Sequence, residues 1–236
     1  MTAFDVLLEV QAHDTRLDQL QHQLDALPAR AERDAAREAL AAAEDHVVAE
    51  TEVHDDLGRR QKRLDDEIET VKAKRAGVEA RLYGTGNASA RELQDLQDDS
   101  ESLARRIRQL EDQEIEIMEA LEPVDANLAE LTATRNARRT VLEDAERALT
   151  AAEAELAVAL DAERAEREAT AAGVDAALLA EYDALRRGRG GIAVSRLVGS
   201  QCGACHLTLS AVEVARIRKH PDEVTHCEEC GRLLVP

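Results

Sequence analysis

Aromatic side chains are almost missing from this chain of 236 residues, which has no tryptophan, one phenylalanine (Phe4) and two tyrosines (Tyr83 and Tyr182). So few rings, in a chain with 33% charged residues, argue against one large globular core. No apolar run approaches the roughly 20 residues that a bilayer-spanning helix needs. A secretory leader is not visible either: Met-Thr-Ala-Phe-Asp-Val-Leu-Leu-Glu lacks a basic start and meets an acid within five residues. The expectation is a cytoplasmic protein without membrane contact, in which thiols stay reduced. Catalytic constellations are missing as well. No paired-carboxylate site, nucleophile elbow or phosphate loop stands out, and Gly188-Arg-Gly190-Gly191 is not followed by the rest of a Walker sequence. The expectation is therefore that the protein is not an enzyme.

What is present is Ala, Glu, Asp, Arg and Leu, a composition typical of long helices and coiled coils. At 44% hydrophobic residues the chain is too apolar to be disordered. The net charge of −19 is unevenly placed. From Arg186 onward eight Lys/Arg face five Asp/Glu, a net of +3, so residues 1–185 carry −22. An acidic arm repels nucleic acid, whereas a mildly basic tail permits contact without demanding it. Arg outnumbers Lys 26 to 4, the composition of a GC-rich bacterial genome.

Tyr83-Gly-Thr-Gly-Asn-Ala-Ser89 interrupts two stretches of helix-forming sequence. Gly84, Gly86 and Asn87 tolerate positive φ, and Ser89 with Glu92 three residues later makes a capping box. An abrupt reversal followed by a helix start predicts an antiparallel hairpin over residues 1–172, with its tip at about 83–89. Asn87-Ala-Ser is then a turn, although it matches a glycosylation sequon. In the first arm, apolar residues recur at Val10, Leu17, Leu20, Leu24 and Leu27, and again at Leu57, Leu64, Ile68, Val71, Val78 and Leu82 after an Ala-rich middle. The second arm is more regular. Counting alternately four and three from Leu96 to Leu156 meets apolar residues except at Ser100, Glu114, Arg135 and Arg138. A seven-residue repeat of this kind marks a left-handed coiled-coil seam.

Pro28 and Pro123 each remove an intrahelical hydrogen bond and are expected to bend or break the arms locally. His13, His22, His46 and His54 are scattered without metal-ligand spacing and read as solvated or seam-edge residues. Parallel pairing of each arm with another chain is the rival packing. The turn opposes it, because the chain already carries its own partner helix at high effective concentration. A monomer or a dimer of hairpins is expected.

Gly173 ends the second arm. Asp175 to Arg186 reads as a short amphipathic helix with Leu178, Leu179, Tyr182 and Leu185 on one face, and with Arg187-Gly-Arg-Gly-Gly191 it fills 173–191 as helix and linker. All four cysteines lie in 192–236, as Cys202-Gly-Ala-Cys205 and Cys227-Glu-Glu-Cys230, with 21 residues between the pairs. Cys202, Cys205, Cys227 and Cys230 are the signature of one tetrahedral tetrathiolate Zn2+ site, structural because four thiolates leave no position for water. Gly203 and Gly231 supply freedom at the knuckles. His206 and His226 adjoin cysteines and are substitute ligands. A thioredoxin-like role lacks the surrounding βαβ pattern. Ser210 with Glu213 caps a short helix from about Ala211 to His220, stopped by Pro221, while Ile192–Val198 and Leu233–Val235 favour strands. Knuckle, helix, knuckle and flanking strands describe a zinc ribbon.

Arg216, Arg218 and Lys219 are favoured at the end of their helix by its dipole alone. Arg186, Arg187, Arg189 and Arg196, clustered before the ribbon, are not so explained and are candidates for contact with nucleic acid or an acidic protein. Together these seven form the candidate basic surface.

Glu92-Leu-Gln-Asp-Leu-Gln97 after a Gly-containing turn, a long helix, and a terminal Cys-x-x-Cys-Gly-Arg-Leu-Leu resemble the bacterial coiled-coil proteins with a C4-type zinc ribbon. The resemblance implies a non-enzymatic adaptor. It implies zinc ligation by Cys202, Cys205, Cys227 and Cys230. Some epsilonproteobacterial and chlamydial relatives are linked to a sigma-54-class factor, to flagellar or type III secretion components, and to messenger RNA. Those partners do not carry over residue by residue. The resulting expectation is mainly α: a long antiparallel coiled-coil hairpin with a small zinc ribbon, acting as an adaptor for a protein partner, with RNA or DNA as an additional partner left open. The alternative is a transcription regulator that inserts its tip into RNA polymerase, and it lacks the acidic tip residues that mechanism needs.

Overall fold

The computed structural model describes residues 3–84, 89–220 and 223–236. Gly86 and Asn87 of the expected turn, and Pro221 of the expected helix stop, lie outside the described residues. The elements are α1 (Ala3–Asp25), α2 (Pro28–Leu82), α3 (Ala90–Ala171), α4 (Ala176–Gly188), β1 (Val194–Val198), β2 (Gln201–Cys202), α5 (Ala211–Lys219) and β3 (Leu233–Val235). The chain divides into two units: Glu32–Glu146, and Met1–Ala31 with Arg147–Pro236.

In the first of these, α2 and α3 run antiparallel. Leu64, Ile68 and Val71 pack with Leu103, Ile107 and Leu110. Polar side chains meet across the helices: Lys72 with Glu111 at 2.8 Å, Glu67 with Arg106 at 2.6 Å, His54 with Asp125 at 3.3 Å. The Ala-rich middle contributes the buried Ala36 and Ala43. The polar seam residue Ser100 is buried and hydrogen-bonded, donating to Glu79 at 3.2 Å. Glu114, also on the seam, meets Asp65 of α2, and that carboxyl–carboxylate hydrogen bond, more than burial, raises the pKa of Glu114.

Helix α3 begins as its capping box dictates. The Glu92 carboxylate accepts from the Ser89 N–H at 2.8 Å, and the Glu92 N–H donates to Ser89 Oγ at 3.3 Å. Gly84 serves a different purpose from the one its type suggests. Its φ is not positive; rather, a Cβ there would lie 2.8 Å from the Ala80 carbonyl oxygen, so the helix end closes on a residue without a side chain.

Pro28 does not merely bend its helix. Helix α1 stops at Asp25 and α2 starts on Pro28, the first helical position, where a missing N–H costs nothing. Pro123 is carried inside α3.

In the other unit, α1 lies along the distal part of α3. His13 Nδ1 contacts Glu163 at 2.7 Å, and Arg30 in the first turn of α2 pairs with Glu153 at 2.9 Å. Helix α4 starts on Asp175, whose carboxylate accepts from the N–H groups of Ala177 and Leu178. The sheet has the order β2-β1-β3, with β1 antiparallel to β2 and parallel to β3. One core joins Phe4, Leu7 and Val10 of α1, Ala171 of α3, Tyr182 of α4, and Ala193, Val194, Leu233 and Val235 at the sheet. Both Phe4 and Tyr182 are spent in it, at 2% and 0% exposure.

A second set of contacts locks α1 to α3 and α4. The buried Asp14 carboxylate accepts from the Tyr182 hydroxyl at 2.7 Å and from Arg167 Nε at 3.2 Å. Arg167 also donates to Asp183 at 2.8 Å, and Arg186 donates to the Asp14 carbonyl at 3.0 Å and to Asp18 at 2.5 Å. Burial, reinforced by the Asp14 charge, moves the Tyr182 pKa upward. Asp14 and Asp183 hold Arg167 firmly charged against the opposing effect of its burial.

Candidate metal centre

Four sulfur atoms converge at the far edge of the sheet. Those of Cys202, Cys205, Cys227 and Cys230 all lie within 4.8 Å of one another, with Cys202–Cys230 at 3.9 Å and Cys205–Cys227 at 3.8 Å. Tetrahedral Zn–S bonds of about 2.3 Å place neighbouring sulfurs roughly 3.8 Å apart. The donor set and its spacing therefore fit one Zn2+. His226 turns away to contact Glu181 through Nε2 at 2.7 Å, and neither it nor His206 belongs to the cluster.

The two knuckles are one device used twice. In each, the first cysteine's N–H donates to the carbonyl five residues on: Cys202 to Leu207 at 3.0 Å, Cys227 to Arg232 at 2.9 Å. In each, the N–H four residues on returns to the first cysteine's carbonyl: His206 to Cys202 at 2.8 Å, Gly231 to Cys227 at 2.7 Å. Each is closed by a bridge, Gln201 with Thr208 and His226 with Leu233. The turn requires positive φ directly after the second cysteine, where His206 has φ 62 and Gly231 has φ 69. Gly231 meets the expectation placed on it; Gly203 does not. Gly203 is needed for close approach instead, since a Cβ would sit 2.9 Å from the Arg196 carbonyl oxygen.

Behind the sulfurs, Leu209, Val214, Ile217 and Leu234 pack against the buried Cys202 and Cys227. Helix α5 is positioned for this by Ser210, whose Oγ accepts from the Glu213 N–H at 3.2 Å. Burial pushes the Cys227 thiol up to about 12. At Cys230 burial is outweighed by hydrogen bonding from the backbone and side chain of Arg232, which brings that thiol down to about 7. A bound dication converts all four to thiolates, and with four thiolates no coordination position is left for water or substrate. Arg232 also donates to the carbonyls of Ile192 and Arg189, both at 2.8 Å, tying the second knuckle to the segment before β1. Its place directly after Cys-x-x-Cys-Gly was the signal in the sequence.

The seven basic residues do not form one free surface. Arg186 is spent on Asp14 and Asp18, and its Nε is buried without a hydrogen-bond acceptor. Arg196 pairs with Asp5 at 3.2 Å, Arg216 with Glu223 at 2.7 Å, and Arg218 donates to the Gly199 carbonyl at 2.8 Å. Arg187, Arg189 and Lys219 are exposed, and none has an ion pair among the described residues.

A coiled-coil hairpin and a closed tetrathiolate ribbon define a zinc-ribbon coiled-coil protein. Residues 10–190 match the family described as the CT398-like coiled coil hairpin domain, and residues 201–234 match the C4-type zinc ribbon domain. The chain belongs to the CT398-like coiled coil hairpin family. It is 34% identical over 230 residues to an uncharacterized protein of Mycobacterium tuberculosis, spanning 97% of this chain and 93% of that one. An uncharacterized Mycobacterium leprae protein is 30% identical, with 93% and 94% covered. A solved structure from Mycobacterium smegmatis superposes with a TM-score of 0.83 at 26% identity, over 100% of this chain and 99% of that one. CT398 of Chlamydia trachomatis has the same fold, with a TM-score of 0.64 at 17% identity over 99% and 97% of the two chains.

Proposed function

We propose that the protein is a non-enzymatic adaptor of the cytoplasm, in which a zinc-fixed ribbon and a coiled-coil hairpin each offer surface to a protein partner. The observation that carries this reading is the saturated donor set at the ribbon: the metal builds a surface and has no open position for chemistry. Around the first knuckle, Val198 and Val212 are 63% and 81% exposed, and Leu207, between them in sequence, is half exposed. Apolar side chains left in water on so small a module favour protein contact. No described helix is long and apolar enough to cross a membrane.

Nucleic-acid contact is the second reading, favoured by the three cations Arg187, Arg189 and Lys219, which have no ion pair among the described residues. Phosphate binding of that kind weakens with salt, whereas an apolar contact does not. The test is quantitative affinity capture from cells of the source organism with the wild-type protein and with Val198→Asp/Val212→Asp, alongside an RNA gel shift. Protein partners lost in the double variant support the adaptor reading; an identical set of captured proteins rejects the ribbon face. RNA binding at low salt that Arg187→Ala/Arg189→Ala abolishes supports the second reading, and absence of any shift at low salt removes it.

A further inference from the structure

The apolar face of α1 is covered by two different partners along its length. From Asp14 onward its contacts are with helices: Asp14 with Tyr182, Arg167 and Arg186, and Asp18 with Arg186. Its first turns rest on the sheet as well as on helices. Phe4, Leu7 and Val10 share a core with Val194, Leu233 and Val235 and with Ala171 of α3 and Tyr182 of α4, and Asp5 pairs with Arg196 of β1. Gln11 is bonded to the strand as another strand would be. Its Oε1 accepts from the N–H groups of Ala193 and Val194 at 2.7 and 2.8 Å, and its Nε2 donates to the Val194 carbonyl at 2.9 Å.

That sheet is small. Strands β1 and β3 pair over three residues each, and Leu234 on the reverse face packs among Cys202, Cys227, Leu209 and Ile217. A module with so small an apolar core depends on its metal for folding. When the knuckles lose the ion, the strand side of that core and the Gln11 bonds lose their order, while Ala171, Tyr182 and the Asp14 network, held by helices alone, do not.

We infer that zinc in the ribbon latches the first three turns of α1, and that metal loss frees residues 3–11 to swing about a pivot at Asp14. The amphipathic segment carrying Phe4, Leu7, Leu8 and Val10 is covered in the zinc-loaded protein and offered to solvent or a partner in the metal-free one. Coupling of this kind is reciprocal, so loosening α1 also loosens the metal.

Hydrogen exchange on the full-length zinc-loaded protein, before and after EDTA, reads the latch directly. Amides of residues 7–11 and of β1 and β3 are expected to exchange ~10-fold faster or more after chelation. Residues 15–25 and the arm around Ile68 and Ile107 keep their rates. Undiminished protection of 7–11, or loss extending through residue 25, overturns the inference. Gln11→Ala, which removes three hydrogen bonds but no apolar contact, supplies the reverse test: zinc transfer to a chromogenic chelator should speed up about 5-fold. Transfer at the wild-type rate overturns it equally.

Discussion

Asp14→Ala is the substitution that most sharply separates buried electrostatics from surface charge in this molecule. The Asp14 side chain is 8% exposed and accepts from Tyr182 and Arg167 at once. Its loss leaves the Tyr182 hydroxyl, on a fully buried residue, without an acceptor, which costs about 1–3 kcal/mol. Arg167 and Arg186 are not orphaned, because Asp183 and Asp18 remain within 2.8 and 2.5 Å. The total therefore falls near the bottom of the range for a broken buried pair, about 3 kcal/mol. In a Tyr83→Phe background Tyr182 becomes the one intrinsic fluorophore beyond phenylalanine, since the chain has no tryptophan. Urea unfolding followed by its emission should shift to a lower midpoint by about 1–2 M, given a slope of about 2 kcal/mol per molar. Asp18→Ala is the control: that side chain is 61% exposed, and its loss should cost less than about 1 kcal/mol. Equal shifts for the two variants would refute the claim that Asp14 anchors α1.

Tyr182 has a pKa raised in the folded chain, so it contributes stability in full below its unfolded value of about 10, and that contribution is lost as pH rises beyond it. In the same Tyr83→Phe background, phenolate absorbance should appear only together with loss of tertiary structure, and a phenolate forming in the intact fold would contradict this. Glu114, also raised, is relieved below its unfolded pKa and opposes the hairpin above it, so Glu114→Gln should raise the urea midpoint of the arm at pH 7 and change it little at pH 4. Ser89→Ala removes the N-cap of α3 and should cost about 1 kcal/mol, read as faster amide exchange over residues 90–96. Glu92, held low by Ser89, contributes above its unfolded pKa and loses that contribution as pH falls, so the cap should fray in acid.

The second arm was legible almost residue by residue. Of the eighteen positions counted from Leu96 to Leu156, only Arg138 is exposed. A heptad seam over so many turns has one interpretation, and the cysteine spacing likewise points to one ion. The N-terminal helix was not legible in the same way. Val10, Leu17 and Leu20 carry the same spacing as the seam, but periodicity reports that a face is covered and not what covers it. Phe4, Leu7 and Val10 meet strands that start at Val194 and Leu233, far away in sequence, and the glutamine that clamps β1 carries no sequence signal at all. Residue type alone points to Gly203 as well as Gly231, whereas the hydrogen-bond ring of each knuckle puts positive φ at His206 and Gly231. Arg186 looks like its basic neighbours in the sequence because charge alone does not disclose Asp14 and Asp18 across the fold.

X-ray absorption at the zinc edge of the purified full-length protein tests most directly whether the ribbon is a closed structural centre. Four sulfur scatterers at about 2.3 Å and one metal per chain are the expected result. A nitrogen or oxygen in the first coordination sphere would open a position for water and contradict the adaptor account at its base.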